Sequence, residues 1–290
     1  MTYRKEYPHA LSFDIEGTTL HVRSSGKTKC CPDLWGVKKL FDGGLGNLRA
    51  KVFVDSSISK TMALRMYFLK YLFPNIEFHD SKDDMFIKDA EEIIENIRTK
   101  KYVTYKSKDH PFNDRGTKDK LESKIEKELC DNLGKYILDF TAGVKVKRQF
   151  PSNIFDGTIN KNSRVTDKLW IDMVSLNAAQ ELSPIELKVG GNIPLDLFAQ
   201  GLDYGIYCHL FQQHIKDQWF NVCNGAKKDK VTIYYVGENF HPALIGRGEN
   251  GIISLINKNN LFNIVFIRLE IDKTAQHIAG SENIFDTRNL

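Results

Sequence analysis

A chain of 290 residues with 41% hydrophobic and 27% charged residues has the material for one large or two small folded domains, which excludes wholesale disorder. Its net charge of +4 is unevenly placed. Residues 1–110 hold 19 of the 41 Lys and Arg but 15 of the 37 Asp and Glu, while 111–290 are balanced at 22 and 22. That is far from a histone-like polycation, yet the first third carries the mild basic bias that attracts polyanions.

In chain order, Ala10-Leu-Ser-Phe13 reads as a short strand and Lys51-Val-Phe-Val54 as another. Apolar residues at Ile58, Met62, Met66 and Leu69 predict a helix, followed by a strand at Asn75-Ile-Glu-Phe78. Ile87, Ala90, Ile94 and Ile97 predict a second helix, and Tyr102-Val-Thr-Tyr105 a third strand of the same α/β unit. The polar stretch 107–119, with its Pro and Gly, is the best boundary, dividing an N-terminal α/β domain (1–110) from a larger one (111–290). Beyond it, Leu121, Ile125, Leu129 and Leu133 recur at i+4 on a helix expected over 118–136. Val144 to Phe150 alternates as a half-buried strand does, and Leu169–Val174 with Pro184–Val189 read as a strand pair. A long helix (194–215) and strands at Val231–Val236 and Asn263–Ile271 complete the pattern. The order α–β–β–β–α–β describes a mixed sheet flanked by helices.

No internal repeat or low-complexity segment is visible. The five cysteines (Cys30, Cys31, Cys130, Cys208, Cys223) are odd in number and lack zinc-site spacing, so reduced, intracellular thiols are expected. The first residues carry charges where a signal peptide needs an apolar run, and no 18 apolar residues occur in succession. The expectation is a soluble cytoplasmic protein with no membrane partner.

The chemistry concentrates in Asp172 and, 13 intervening residues later, Glu186-Leu-Lys188. Residues two apart on a strand share a face, so Glu186 and Lys188 project together while Ile185, Leu187 and Val189 pack on the other side. Two carboxylates and an ammonium are what phosphodiester hydrolysis requires. The carboxylates offer oxygen ligands to Mg²⁺, and the ammonium offsets charge developing on the phosphate. The next helix adds Gln200 and Tyr204, i,i+4 neighbours on one face. The bland reading is a surface Glu–Lys pair, a hairpin-flanking Asp and ordinary helix-surface residues.

Together Glu126-Lys-Glu-Leu129, Ile171-Asp172, Pro184-Ile-Glu186-Leu-Lys188 and Gln200-x-x-x-Tyr204 resemble the PD-(D/E)XK nuclease superfamily, in particular its RecB-like and Holliday-junction-resolvase-like members. The resemblance covers about 115–275 and departs from the pattern in having Ile171, not Pro, before Asp172. It implies a restriction-endonuclease-like core and Mg²⁺- or Mn²⁺-dependent cleavage of nucleic acid, DNA ahead of RNA; a homodimer or larger assembly is the expectation for partners of its own kind. By carry-over Asp172, Glu186 and Glu126 are metal ligands and catalytic together with Lys188, and Gln200 and Tyr204 position substrate. Glu122 is the alternative to Glu126 as the helix glutamate. Lys145, Lys147, Arg148, Arg164 and Lys168 are candidate contacts to the nucleic-acid backbone, with Lys161 and the cluster Lys227, Lys228 and Lys230 beside them.

Two other readings compete. A nuclease-like fold can serve as a catalytically silent nucleic-acid-binding module. In the first third, Phe13-Asp14-Ile-Glu16-Gly-Thr18 resembles the DxDGT motif of haloacid-dehalogenase-type phosphatases, with Asp14 as nucleophile. Ser56, Ser57 and Asp83-Asp84 would stand for the other motifs of that family, but Glu16 replaces its second Asp. Gly26-Lys27-Thr28 is no phosphate-binding loop, its nearest upstream glycine being Gly17.

Overall fold

The computed structural model describes residues 7–25, 31–44, 48–107, 121–140, 143–167, 169–190, 195–222, 230–245, 251–257 and 259–290. It is an α/β molecule with two main sheets.

The first sheet is built from β1 (Leu11–Glu16), β2 (Thr19–Ser24), β3 (Ala50–Asp55) and β4 (Ile76–Asp80), side by side in chain order. A tight turn at Gly17, with φ +59°, closes the β1–β2 hairpin, and β2, β3 and β4 run parallel. Helices α1 (Pro32–Asp42), α2 (Lys60–Leu72) and α3 (Met85–Arg98) connect and flank them. Ser59 caps α2, its hydroxyl accepting the Met62 N–H at 3.2 Å, which satisfies one of the helix's free donors.

The expected third strand of this unit does not join it. β5 (Tyr102–Val103) is two residues long and pairs antiparallel with β7 (Phe155–Asp156), in a small sheet apart from the other two. Its aromatic and β-branched residues suit a strand, but pairing partner is a tertiary choice that propensity does not encode.

The second sheet has six strands in the order β12-β11-β10-β9-β8-β6. Helix α4 (Leu121–Asp131) and the short α5 (Leu133–Tyr136) precede β6 (Lys145–Pro151). The strand β8 (Trp170–Leu176) pairs antiparallel with both β6 and β9 (Leu182–Lys188). Helix α6 (Asp196–Leu210) then crosses over to β10 (Val231–Gly237), which is parallel to β9. The strand β11 (Phe262–Asp272) adds in parallel, and β12 (His277–Asp286) returns antiparallel at the edge. The remaining helices are α7 (Gln212–Phe220) and α8 (Pro242–Ile245).

Two single helices expected from the sequence are therefore each broken. The first breaks at Asn132 and the second at Phe211, both outside the helical region of backbone space. Strand β12 carries no apolar alternation because most of its residues face water, so nothing in its pattern announces it.

The sheet buries both faces. Ile125, Leu129, Met173, Ile185, Leu187 and Val236 form a cluster on the α4 side. The opposite face belongs to a larger core that runs through α6 into α1, α2 and the first sheet. Helix α6 is buried almost all round because it lies between the second sheet and α2. Gly201 and Gly205 let it lie flat, since a Cβ on either would fall 2.3 Å from Tyr235 or 2.2 Å from Ile233. Arg65 of α2 reaches across to Asp203 of α6 through paired hydrogen bonds of 2.8 and 2.9 Å, and stands 3.4 Å from Asp33 of α1. The two halves expected to be separate domains thus share one core and a buried ion network. No described helix is long and apolar enough to cross a membrane.

Candidate active site

Strands β8 and β9 bring Asp172 and Glu186 together. Their antiparallel pairing sets Met173 opposite Ile185, and the same register carried one residue further puts Asp172 and Glu186 at facing positions. The Asp172 carboxylate is pinned by the Leu187 N–H, which it accepts at 2.8 Å. Glu186 is buried, with 1% of its surface exposed, and its Oε1 lies 2.9 Å from Lys188 Nζ. The same ammonium is 3.8 Å from Asp172 and 4.0 Å from Glu122. Asp172, Glu186 and Lys188, three residues on two strands, therefore make one compact charged cluster.

Its electrostatics are unbalanced. Burial pushes the Asp172 carboxyl up to about 6, against the pull of Lys188 and the Leu187 N–H. Burial, and then the charge of Asp172, push Glu186 well above the usual carboxylate range. Burial disfavours the Lys188 ammonium, but Glu186 and Asp172 outweigh it and hold its pKa above the ordinary lysine value. Lys188 is thus a permanent cation near neutral pH. Two acids share it, and Glu186 Oε2 is buried with no hydrogen-bond partner. An orphaned buried carboxylate oxygen is costly unless something positive meets it.

Helix α4 lays two glutamates along the cluster. Glu126, largely buried, is held by Arg148 Nε at 3.1 Å and by the Gln149 amide at 3.1 and 3.0 Å. Glu122, one turn earlier, accepts the Val189 N–H at 3.2 Å and faces Lys188. Both raise the Asp172 pKa, so both face the cluster. The sequence-based preference for Glu126 selects the better-buried glutamate, whereas Glu122 is the one in reach of the lysine.

On the other side Tyr204 is buried, and its hydroxyl pKa is raised by burial and then by Glu186 and Asp172. Gln200 lies one turn before it on α6, half-buried. Among the candidate backbone contacts, Lys145 donates to the Phe220 carbonyl at 3.2 Å and Arg148 is committed to Glu126, so both serve the fold. Lys147 is half-buried on β6, Lys161 is exposed, and Arg164 lines a separate cleft. Lys168, Lys227 and Lys228 lie outside the described residues, as do Cys30 and Cys223 and the residues Gly26-Lys27-Thr28.

Residues not singled out from sequence also matter. Gln149 has φ +47° in the middle of β6, directly opposite Asp172 in the ladder, and turns its amide onto Glu126. No short motif marks that conformation. Arg65 and Asp203 carried a fainter signal, an acid between Gln200 and Tyr204 on an otherwise apolar helix.

Asp14 has no comparable setting. It is exposed on β1, an edge strand, opposite His21. Asp55 pairs with Arg23, and Asp84 holds His79 beside α3.

No family model, curated protein or solved structure matches this chain. Among the described residues no group of three or more His, Cys, Asp and Glu side chains forms a ready metal cage. The donor set nevertheless fits a hard cation such as Mg²⁺, which takes one or two carboxylates and completes its shell with water and phosphate. Asp172 and Glu186 supply those carboxylates, and Glu186 Oε2 is the unpartnered atom such an ion would satisfy.

Proposed function

We propose that the protein is a divalent-metal-dependent nuclease that hydrolyses phosphodiester bonds, in DNA ahead of RNA, on a restriction-endonuclease-like core. The observation that carries this reading is the convergence of Asp172, Glu186 and Lys188 on adjacent strands, with a buried carboxylate oxygen left unpaired. The order of α4, β6, β8, β9, α6 and β10 supports it.

Asp172 and Glu186 would hold Mg²⁺ or Mn²⁺, with Glu122 or Glu126 completing the acidic side. When bound, such an ion supplies a Lewis acid for phosphoryl oxygens and acidifies water at neutral pH. The Leu187 N–H keeps the Asp172 carboxylate in a fixed rotamer. Lys188, always protonated, donates to the attacking water and to the phosphate oxygen that gains charge. It is no general base, because its neighbours hold its proton. Tyr204 closes the apolar side of the site against bulk water.

The test is incubation with circular and linear DNA, single strands and RNA in Mg²⁺, Mn²⁺ or EDTA. Metal-dependent cleavage should fall at least about 100-fold in Lys188→Ala and Asp172→Ala, the scale of losing an electrostatic stabiliser. Cleavage that survives either substitution, or that proceeds in EDTA, sinks the proposal.

A further inference from the structure

Between β6 and β8 the chain leaves the second sheet at the end where Asp172 sits. Pro151 pairs with Trp170 there, and residues 152–169 form an excursion that carries β7. This excursion packs on α2: the Thr61 hydroxyl accepts the Asp167 N–H at 2.8 Å. Between them lies an open cleft of about 340 Å³, lined by Lys60, Tyr102, Asp156, Asn162 and Arg164 among others.

The cleft is cationic. Lys60 Nζ stands 5.9 Å from the Tyr102 ring centroid and Lys101 Nζ 5.7 Å, so both ammonium groups gather at one aromatic ring, with Arg164 across the cleft. Among the described residues Asp156 is the only acid lining it. None of the three cations forms an ion pair with a described residue, whereas Arg65, Arg148, Lys188 and Arg288 all do. Lys60 and Arg164 on the lining of a concave space, with Lys101 beside the Tyr102 ring, offer a polyanion a cationic site. Two come from the first third of the chain, where the net positive charge resides.

We propose that this cleft is a second phosphate-binding subsite, formed by Lys60 and Arg164 with Lys101 beside it at Tyr102, that grips a nucleic-acid strand away from the cleavage position. The inference rests on the nuclease reading and gives the N-terminal half a part in substrate binding. Arg164 precedes Asp172 by eight residues, so at about 3.5 Å per residue the two are at most about 28 Å apart. At a rise of 3.4 Å per base pair, that upper bound is about 8 base pairs, so a duplex of 30 base pairs is long enough to span both. The grip is therefore independent of sequence and sensitive to salt.

Binding is measured by fluorescence anisotropy in EDTA, with the full chain and a labelled 30-base-pair duplex. On this duplex, Lys60→Ala/Arg164→Ala should weaken binding roughly ten-fold and lower the slope of log K against log salt by about 2. Lys70→Ala, an exposed lysine stacked on Tyr67 at 3.8 Å, is the matched control and should leave both unchanged. Unchanged affinity and slope in the double variant, with wild-type cleavage intact, overturn the subsite alone. A wild type that neither binds nor cleaves nucleic acid overturns the nuclease reading and the subsite with it. Circular dichroism melts confirm that the double variant folds, as expected for one exposed and one half-buried side chain.

Discussion

Asp172→Asn should make the protein more stable while making it inactive. The cluster sets two acids against one ammonium in a largely buried site. The Asp172 pKa of about 6 lies about two units above its ordinary value of 3.8. At 1.36 kcal/mol per unit, ionising it in the fold costs on the order of 3 kcal/mol. The 18% of its side chain that stays open to water lowers that toward 1–2 kcal/mol, by the screening that solvent provides. Asparagine keeps an oxygen to accept the Leu187 N–H and removes the charge, leaving Glu186 and Lys188 as a neutral pair. At roughly 2–4 °C per kcal/mol for a chain somewhat smaller than this one, the melting temperature in EDTA should rise by about 2–6 °C. Magnesium reverses the order. A ligand at 100 times its Kd contributes about 2.7 kcal/mol to the wild type, and much less to a variant that has lost one carboxylate. Differential scanning fluorimetry at pH 7.5, in EDTA and in 10 mM Mg²⁺, reads both effects. If the variant melts at or below the wild-type temperature in EDTA, the two acids are not in electrostatic conflict and the reasoning fails.

Metal-free stability should increase as pH falls from about 7.5 to 5.5. Asp172 and Asp203 have folded pKa values pushed up to about 6 by burial, and Glu186 is raised as well. The folded state therefore binds their protons more tightly than the unfolded state, and stability grows as pH falls through about 6. Below about 4 the trend reverses, as acids held low by partners protonate, Glu77 beside Lys51 among them; a melting temperature flat from 7.5 to 5.5 contradicts this. Arg65→Ala should cost about 3–5 kcal/mol in urea unfolding, because it strands Asp203 and Asp33 in the interior. The double change Arg65→Met/Asp203→Leu should recover most of it, and a loss under 1 kcal/mol in the single variant refutes the role of the network. Gly201→Ala should destabilise by about 1–3 kcal/mol despite better helix propensity, and slow cleavage by lifting Gln200 and Tyr204 off the sheet. A more stable, fully active variant refutes the close approach. Glu122→Ala should leave thermal stability within about 0.5 kcal/mol yet reduce cleavage, since its carboxylate is half-open and faces Lys188. Glu126→Ala should lower stability as well, by leaving Arg148 unpaired; a stability loss in Glu122→Ala that equals that of Glu126→Ala contradicts this division.

Local periodicity determined most of the elements. The apolar alternation of Val144–Phe150, the spacing of Asp172, Glu186 and Lys188, and the i+4 stripe of α4 are properties of neighbouring residues, and they place strands and helices without a three-dimensional model. Tertiary structure decided what neighbours along the chain do not encode. The partner of β5 was settled by packing against the excursion, and polar β12 became a strand because β11 offered it an edge. The joining of the two halves came from Arg65 meeting Asp203, 138 residues away. At the site, the sequence named the acids and the lysine but not their imbalance. How far burial raises Asp172, which α4 glutamate reaches Lys188, and how Gln149 turns onto Glu126 depend on dielectric and distance, which exist only once the chain has folded.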